Sequence, residues 1–151
     1  MREEVGDIKA ESLENEFMST SIDRVPYEFP DFLEFVNANR SIPIYIFGAD
    51  IAGKVTDKIL RKHGVIISGF IDNNQNKCIE DINGVGVYHA PILSNLDHEA
   101  IILIASTYIS DIINQIESMG FYNWVPIAHI IEANKLEDFS SLLSGSLHKN
   151  H

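Results

Sequence analysis

The chain has a single cysteine, Cys78, among 151 residues. No internal disulfide is available, and the composition fits a reducing compartment. Positive charge is also scarce: 11 Lys and Arg stand against 22 Asp and Glu, a formal net charge of -11. A protein that neutralises phosphates along a nucleic acid needs clustered Lys and Arg, so no nucleic acid partner is expected. An anionic membrane surface is disfavoured for the same reason. Long apolar runs are missing as well. No segment reaches the roughly 20 apolar residues of a membrane span. Met1-Arg2-Glu3-Glu4 is not followed by the apolar stretch of a signal peptide. The expectation is a cytoplasmic protein without membrane insertion, whose acidity serves solubility.

What is present suits one domain with flexible ends. Hydrophobic residues make up 45% of the chain, enough for a core. The charge is uneven: residues 1–40 hold ten Asp/Glu and four Lys/Arg, more than half of the net charge. Three parts are expected: an acidic N-terminal extension with a short helix over 1–40, a main domain over 41–135, and a Ser-rich mobile tail over 136–151. Val5, Ile8, Leu13 and Phe17 give the extension weak apolar spacing, read as a loosely held helix or a disordered lead. Asp31 to Asn39 can form a helix with Pro30 near its first turn. Its Phe32, Phe35 and Val36 then share a face, which packs against the domain edge or serves as a linker or dimer contact.

The main domain alternates apolar strands with amphipathic helices. Ile44-Tyr45-Ile46-Phe47 and Ala100-Ile101-Ile102-Leu103-Ile104-Ala105 are continuous apolar runs, the pattern of parallel strands buried on both faces. Val65 to Ile71, Val85 to Tyr88 and Trp124 to Ile127 read as three further strands. The proline in the last, Pro126, suits a sheet edge. Between them, Ile51 to Lys62 is a helix with Ile51, Val55 and Ile59 at four-residue spacing. It ends at His63-Gly64. Pro91 to Leu96 is a short helix or turn, and Ser106 to Met119 a second long helix with an isoleucine stripe. Asp72 to Lys77 is loop, and Asn83-Gly84 is a tight turn. Alternation of this kind demands crossovers, and right-handed crossovers give an α/β, Rossmann-like, doubly wound parallel sheet of order 3-2-1-4-5 with helices on both faces.

In a mononucleotide-binding βαβ unit three glycines do different work: the tight turn, phosphate access to the backbone, and close helix–strand packing. In Gly48-Ala49-Asp50-Ile51-Ala52-Gly53, the first and third are present and Asp50 takes the second place. A carboxylate there repels a pyrophosphate by an amount on the order of a few kcal/mol in a partly shielded site. The alternative is that Asp50 caps the helix by accepting bonds from its free N–H groups. Asp72 lies nineteen residues after Gly53, where a ribose-binding carboxylate belongs. An Asp opening an Asn-rich turn has local hydrogen-bonding reasons too. Lys54 reaches a phosphate from the first helical turn or stays solvated.

Tyr45-Ile46-Phe47-Gly48-Ala49, Gly69-Phe70-Ile71-Asp72-Asn73, Ile82-Asn83-Gly84-Val85-Gly86-Val87 and Ile104-Ala105-Ser106-Thr107-Tyr108 through Gly120-Phe121 together resemble one group. It comprises the Rossmann-like domains of bacterial polysaccharide and sugar-modification proteins. These include the N-terminal domain of sialic-acid and bacillosamine acetyltransferase-type enzymes and domains attached to FkbM-type sugar methyltransferases. The resemblance covers about residues 42–130. It implies a binder of nucleotide-sugars, with Gly48, Ala49, Asp50, Gly53, Lys54, Asp72, Asn73, Ser106 and Thr107 as the contact positions. Two departures stand out: Asp50 in place of glycine, and Ala52 where the acyltransferase branch often has histidine. No hexapeptide repeat or methyltransferase domain lies within the 151 residues, so a non-catalytic or accessory role is expected.

Little else suggests chemistry. The six histidines lack metal-ligand spacing on any expected helix. Cys78 has no expected base beside it and Ser106 no nucleophile elbow. The leading expectation is a nucleotide-sugar or related nucleotide as ligand. Its alternative is a ligand-free interaction or oligomerisation module, such as a homodimer. A small NAD-dependent oxidoreductase is a third reading that lacks a substrate domain and a catalytic pair.

Overall fold

Ile44–Phe47 forms β1, the centre of the molecule. Its parallel neighbours are β2 (Gly69–Asp72) on one side and β4 (Ile101–Ile104) on the other. β3 (Val87–His89) extends the sheet beyond β2 and β5 (Trp124–Pro126) beyond β4, giving five parallel strands in the order β3-β2-β1-β4-β5. Both the order and the edge position of the Pro126 strand match the sequence reading. The computed structural model describes residues 24–79 and 81–134. The readings made for the acidic lead before Arg24 and for the Ser-rich tail lie outside them.

Strand alternation sends side chains into two cores. Ile44, Ile46, Phe70, Ile101, Leu103 and Val125 face one layer, covered by α1 (Phe29–Ala38), α2 (Ile51–Lys62) and a helix over 128–134. Phe47, Ile71, Ile102 and Ile104 face the other, covered by a 3₁₀ segment (Ala90–Asn95) and α3 (Ile109–Glu117). The α1 aromatics belong to the first core: Phe29 and Phe32 are buried and Phe35 packs half-buried against it. Phe32 therefore presents no surface to a partner. Arg24 fixes the approach to α1, lying over the rings of Tyr27 and Trp124 and donating to the Trp124 carbonyl at 3.2 Å.

Several expectations shift. α2 has the foreseen bounds but a different buried face. Ile51 is 77% exposed and Val55 41%, whereas Gly53, Thr56, Asp57 and Leu60 point inward together with Ile59, which is buried as the spacing had it. The reason is Gly53: a Cβ there would lie 2.0 Å from the Gly48 carbonyl oxygen, so this residue must face the strand and its rotation carries the helix with it. Asp57 is consequently buried, accepting from Arg61 Nε at 3.1 and 3.2 Å and from Asn83 Nδ2 at 3.4 Å. β2 begins four residues later than expected. Val85 leaves the third strand to bridge Ile82 across Asn83-Gly84, both at positive φ as such a hairpin turn requires. The supposed loop after Asp72 contains a 3₁₀ turn, Gln75–Ile79. α3 starts at Ile109, because Ser106 Oγ accepts the Tyr108 N–H (3.0 Å) and holds a turn open first. The helix over 128–134 was not foreseen, although Ile127, Ile130, Ile131 and Asn134 have helical spacing.

Candidate functional site

The carboxyl ends of β1, β2 and β4 open into one crevice of about 930 Å³. It lies where the sheet order reverses, since the chain leaves β1 toward β2 on one side and later returns to β4 on the other. Such switch points are the ligand sites of open α/β sheets.

Gly48 closes β1. Its φ is +121° and its N–H donates to the Ile71 carbonyl at 2.7 Å. A Cβ would come within 2.5 Å of the Ala105 carbonyl oxygen, so the glycine permits both the turn and the approach of β4. Ala49 is buried and donates its N–H to Asp72 Oδ2 at 2.9 Å. Asp50 is the N-cap residue of α2, with extended backbone (φ -93°) that any residue adopts. The turn thus has no steric need for glycine at this position.

The capping role considered for Asp50 is not what the structure contains: its carboxylate makes no cap bond and pairs instead with Lys77. The first-turn N–H groups of α2, which a helix leaves without internal partners, are consequently not covered by this side chain. The carboxylate is also less repulsive than its charge suggests, because an ammonium group sits on it.

Asp72 is placed at the end of β2 as expected, and both its oxygens are engaged. Oδ2 takes the Ala49 N–H, and Oδ1 takes the Asn74 N–H at 2.8 Å. The carboxylate ties the β1 turn to the β2 turn, and the residue lines the crevice. Next to it, Asn73 makes a reciprocal amide pair with Gln115 of α3: Nδ2 donates to Oε1 at 3.0 Å, and Gln115 Nε2 donates back to Oδ1 at 2.9 Å.

Of the nine positions singled out, Gly48, Asp50, Asp72, Asn73, Ser106 and Thr107 line the crevice together. Ala49 and Gly53 are buried behind it, and Lys54 is exposed on α2 and does not line it. Sequence reasoning missed the walls: Tyr108, Ile112 and Gln115 on one side, and Ile127 and Ile131 on the other. The Tyr108, Ile112, Gln115 spacing along a helix was the available signal. Asp111 and Glu132 add negative charge to the lining.

Among the described residues no group of His, Cys, Asp and Glu is arranged to hold a metal ion, and no helix is long and apolar enough to cross a membrane. Burial, helped by the Asp72 carboxylate, raises the Cys78 thiol above its ordinary value, which keeps it protonated and a poor nucleophile. His63 bonds Asn134 and lies edge-on to Phe29, a packing role. His89 donates from Nε2 to the Asn73 carbonyl at 3.2 Å, which steadies the turn beside the crevice.

A family profile described as C2185-like, N-terminal, matches residues 41–125, more than half of the chain. No curated protein matches it. Among solved structures, a UDP-D-quinovosamine 4-dehydrogenase from Vibrio fischeri is 19% identical, with 62% of this chain and 85% of that one covered and a TM-score of 0.48. RSP in complex with beta-NADH is 11% identical, over 80% and 70% of the two chains, with a TM-score of 0.47. A structure of RSP described as a Rex-family repressor is 13% identical, over 78% and 68%, again at 0.47.

Proposed function

The chain belongs to the C2185-like N-terminal family, and we propose that it is a non-catalytic or accessory Rossmann-like domain that binds a nucleotide-sugar or related nucleotide in the crevice at the sheet's carboxyl edge. The context proposed is polysaccharide or sugar modification, associated with a methyltransferase or acyltransferase. One observation carries the reading: the glycine turn after β1, Asp72-Asn73 after β2 and Ser106-Thr107 after β4 converge on a single opening. Its volume suits a ligand of nucleotide size. The uncapped start of α2 offers N–H donors and a positive dipole end to an anion. Ser106 and Thr107, after β4, add hydroxyl-bearing residues to the lining.

Titration calorimetry and thermal shift with UDP-sugars, UDP, ADP and GDP test this. A ligand at 100 times its dissociation constant should stabilise the fold by roughly 2.7 kcal/mol. Absence of both heat and stabilisation across the panel rejects the reading.

Asp50 gives a second test. Asp50→Gly removes a carboxylate from the crevice and frees Lys77 from it. An exposed ion pair is worth only about 0–1 kcal/mol, so the fold should tolerate the change. Binding of a nucleoside diphosphate should tighten about tenfold, equivalent to ~1.4 kcal/mol. Unchanged affinity would mean that no phosphate approaches the start of α2.

A further inference from the structure

The amide pair between Asn73 and Gln115 spans 42 residues of sequence and joins the turn after β2 to α3. Both residues line the crevice. A cyclic pair of this kind, one bond in each direction, is also what a side-chain amide makes with the edge of a nucleobase carrying a donor next to an acceptor. Each amide thus meets, in its partner, the pattern a base would present. Tyr108 (70% exposed), at the start of α3, and Ile112 line the same crevice. Tyr108 alone offers an exposed aromatic face suited to a planar ring, since Ile112 is buried in the core at 5% exposure.

The two amides are not equivalent. Asn73 is held in place: Asp72 fixes the next backbone N–H and His89 holds the Asn73 carbonyl. It also directly follows the carboxylate at the ribose position. Gln115 hangs from a helix by a longer side chain with more rotatable bonds. Resting on the nucleotide reading above, we propose that Asn73 reads the edge of a nucleobase stacked on the Tyr108 ring, and that Gln115 is a placeholder which the base displaces. The site therefore selects ligands that carry a planar heterocycle over the same phosphate and sugar without one.

Asn73→Asp and Gln115→Ala separate these roles. The first keeps the size and removes the donors; the second removes the placeholder. Both sites are at the surface or half-buried, so the fold should survive each. With UDP as probe, Asn73→Asp should weaken binding at least tenfold, and Gln115→Ala should leave it unchanged or tighten it up to about fivefold. In the unchanged protein, the side-chain amide NMR signals of Asn73 and Gln115 should move with UDP and stay in place with ribose 5-phosphate. Equal loss in both variants would make the pair a structural tie and overturn the proposal. So would UDP binding with neither amide signal perturbed. If no nucleotide of the panel binds at all, the nucleotide reading itself fails, and this inference falls with it.

Discussion

Gly53→Ala should lower stability by about 3 kcal/mol or more, against the usual sense of glycine replacement in a helix. At a solvent-facing helical position, exchanging Gly for Ala gains close to 1 kcal/mol. Here the added methyl would sit 2.0 Å from the Gly48 carbonyl oxygen and 3.4 Å from an Ile46 side-chain carbon. The first clash is with backbone and cannot be relieved by a rotamer change, so either α2 or the Gly48 turn must move. Overpacking of this type costs typically 1–3 kcal/mol and sometimes more. In a domain of this size, the thermal midpoint should fall by roughly 10 °C or more. Gly64→Ala is the useful contrast. No atom lies within 4 Å of its would-be Cβ, and only its φ of +78° opposes the change, so about 1 kcal/mol should be lost. Equal effects at the two positions would show that the Gly53 contact does not govern how α2 seats on the sheet.

Asp72→Ala should cost about 2–3 kcal/mol in the absence of any ligand. A residue that only waited for a ribose would leave stability unaltered when replaced. Asp72 instead accepts two backbone N–H groups, from Ala49 at 2.9 Å and Asn74 at 2.8 Å. Bonds to a charged acceptor contribute roughly 1.5–3 kcal/mol each, and the buried Ala49 N–H would be left without a partner; partial exposure of the carboxylate lowers the sum. Asp72→Asn keeps one acceptor oxygen and sets an amide NH₂ against the second donor, so about half the loss is expected. Urea unfolding measures the stability, and hydrogen exchange at the Ala49 and Asn74 amides reports the local release. An unchanged unfolding midpoint for Asp72→Ala would remove the structural role. The same variants should also weaken nucleotide binding, because the turn carrying Asn73 loses its anchor.

These two sites show how differently two parts of one motif can be read from sequence. Gly53 was assigned to helix–strand packing from its place in the spacing, and the contact with Gly48 is of that kind. The helical face drawn from Ile51, Val55 and Ile59 held at Ile59 but failed at Ile51 and Val55, because apolar periodicity takes no account of a backbone contact that fixes rotation. Asp50 was legible as the residue before the helix, but its pairing with Lys77 was not. The two are 27 residues apart, and the connection depends on where the 3₁₀ turn after β2 falls. The Asn73–Gln115 pair was out of reach for a similar reason, since polar residues in loops and on helix surfaces carry no periodic signal.

The alternation of apolar strands with amphipathic helices dictated the parallel sheet and its order, and the glycine spacing located the turn at the mouth of the crevice. Both follow from local rules: side-chain burial on the two faces of a strand, and the backbone freedom that a missing Cβ allows. Only the folded chain decided which groups neutralise, tie down or mimic one another across that opening. Those choices depend on distances between residues far apart in sequence, and no local pattern encodes them.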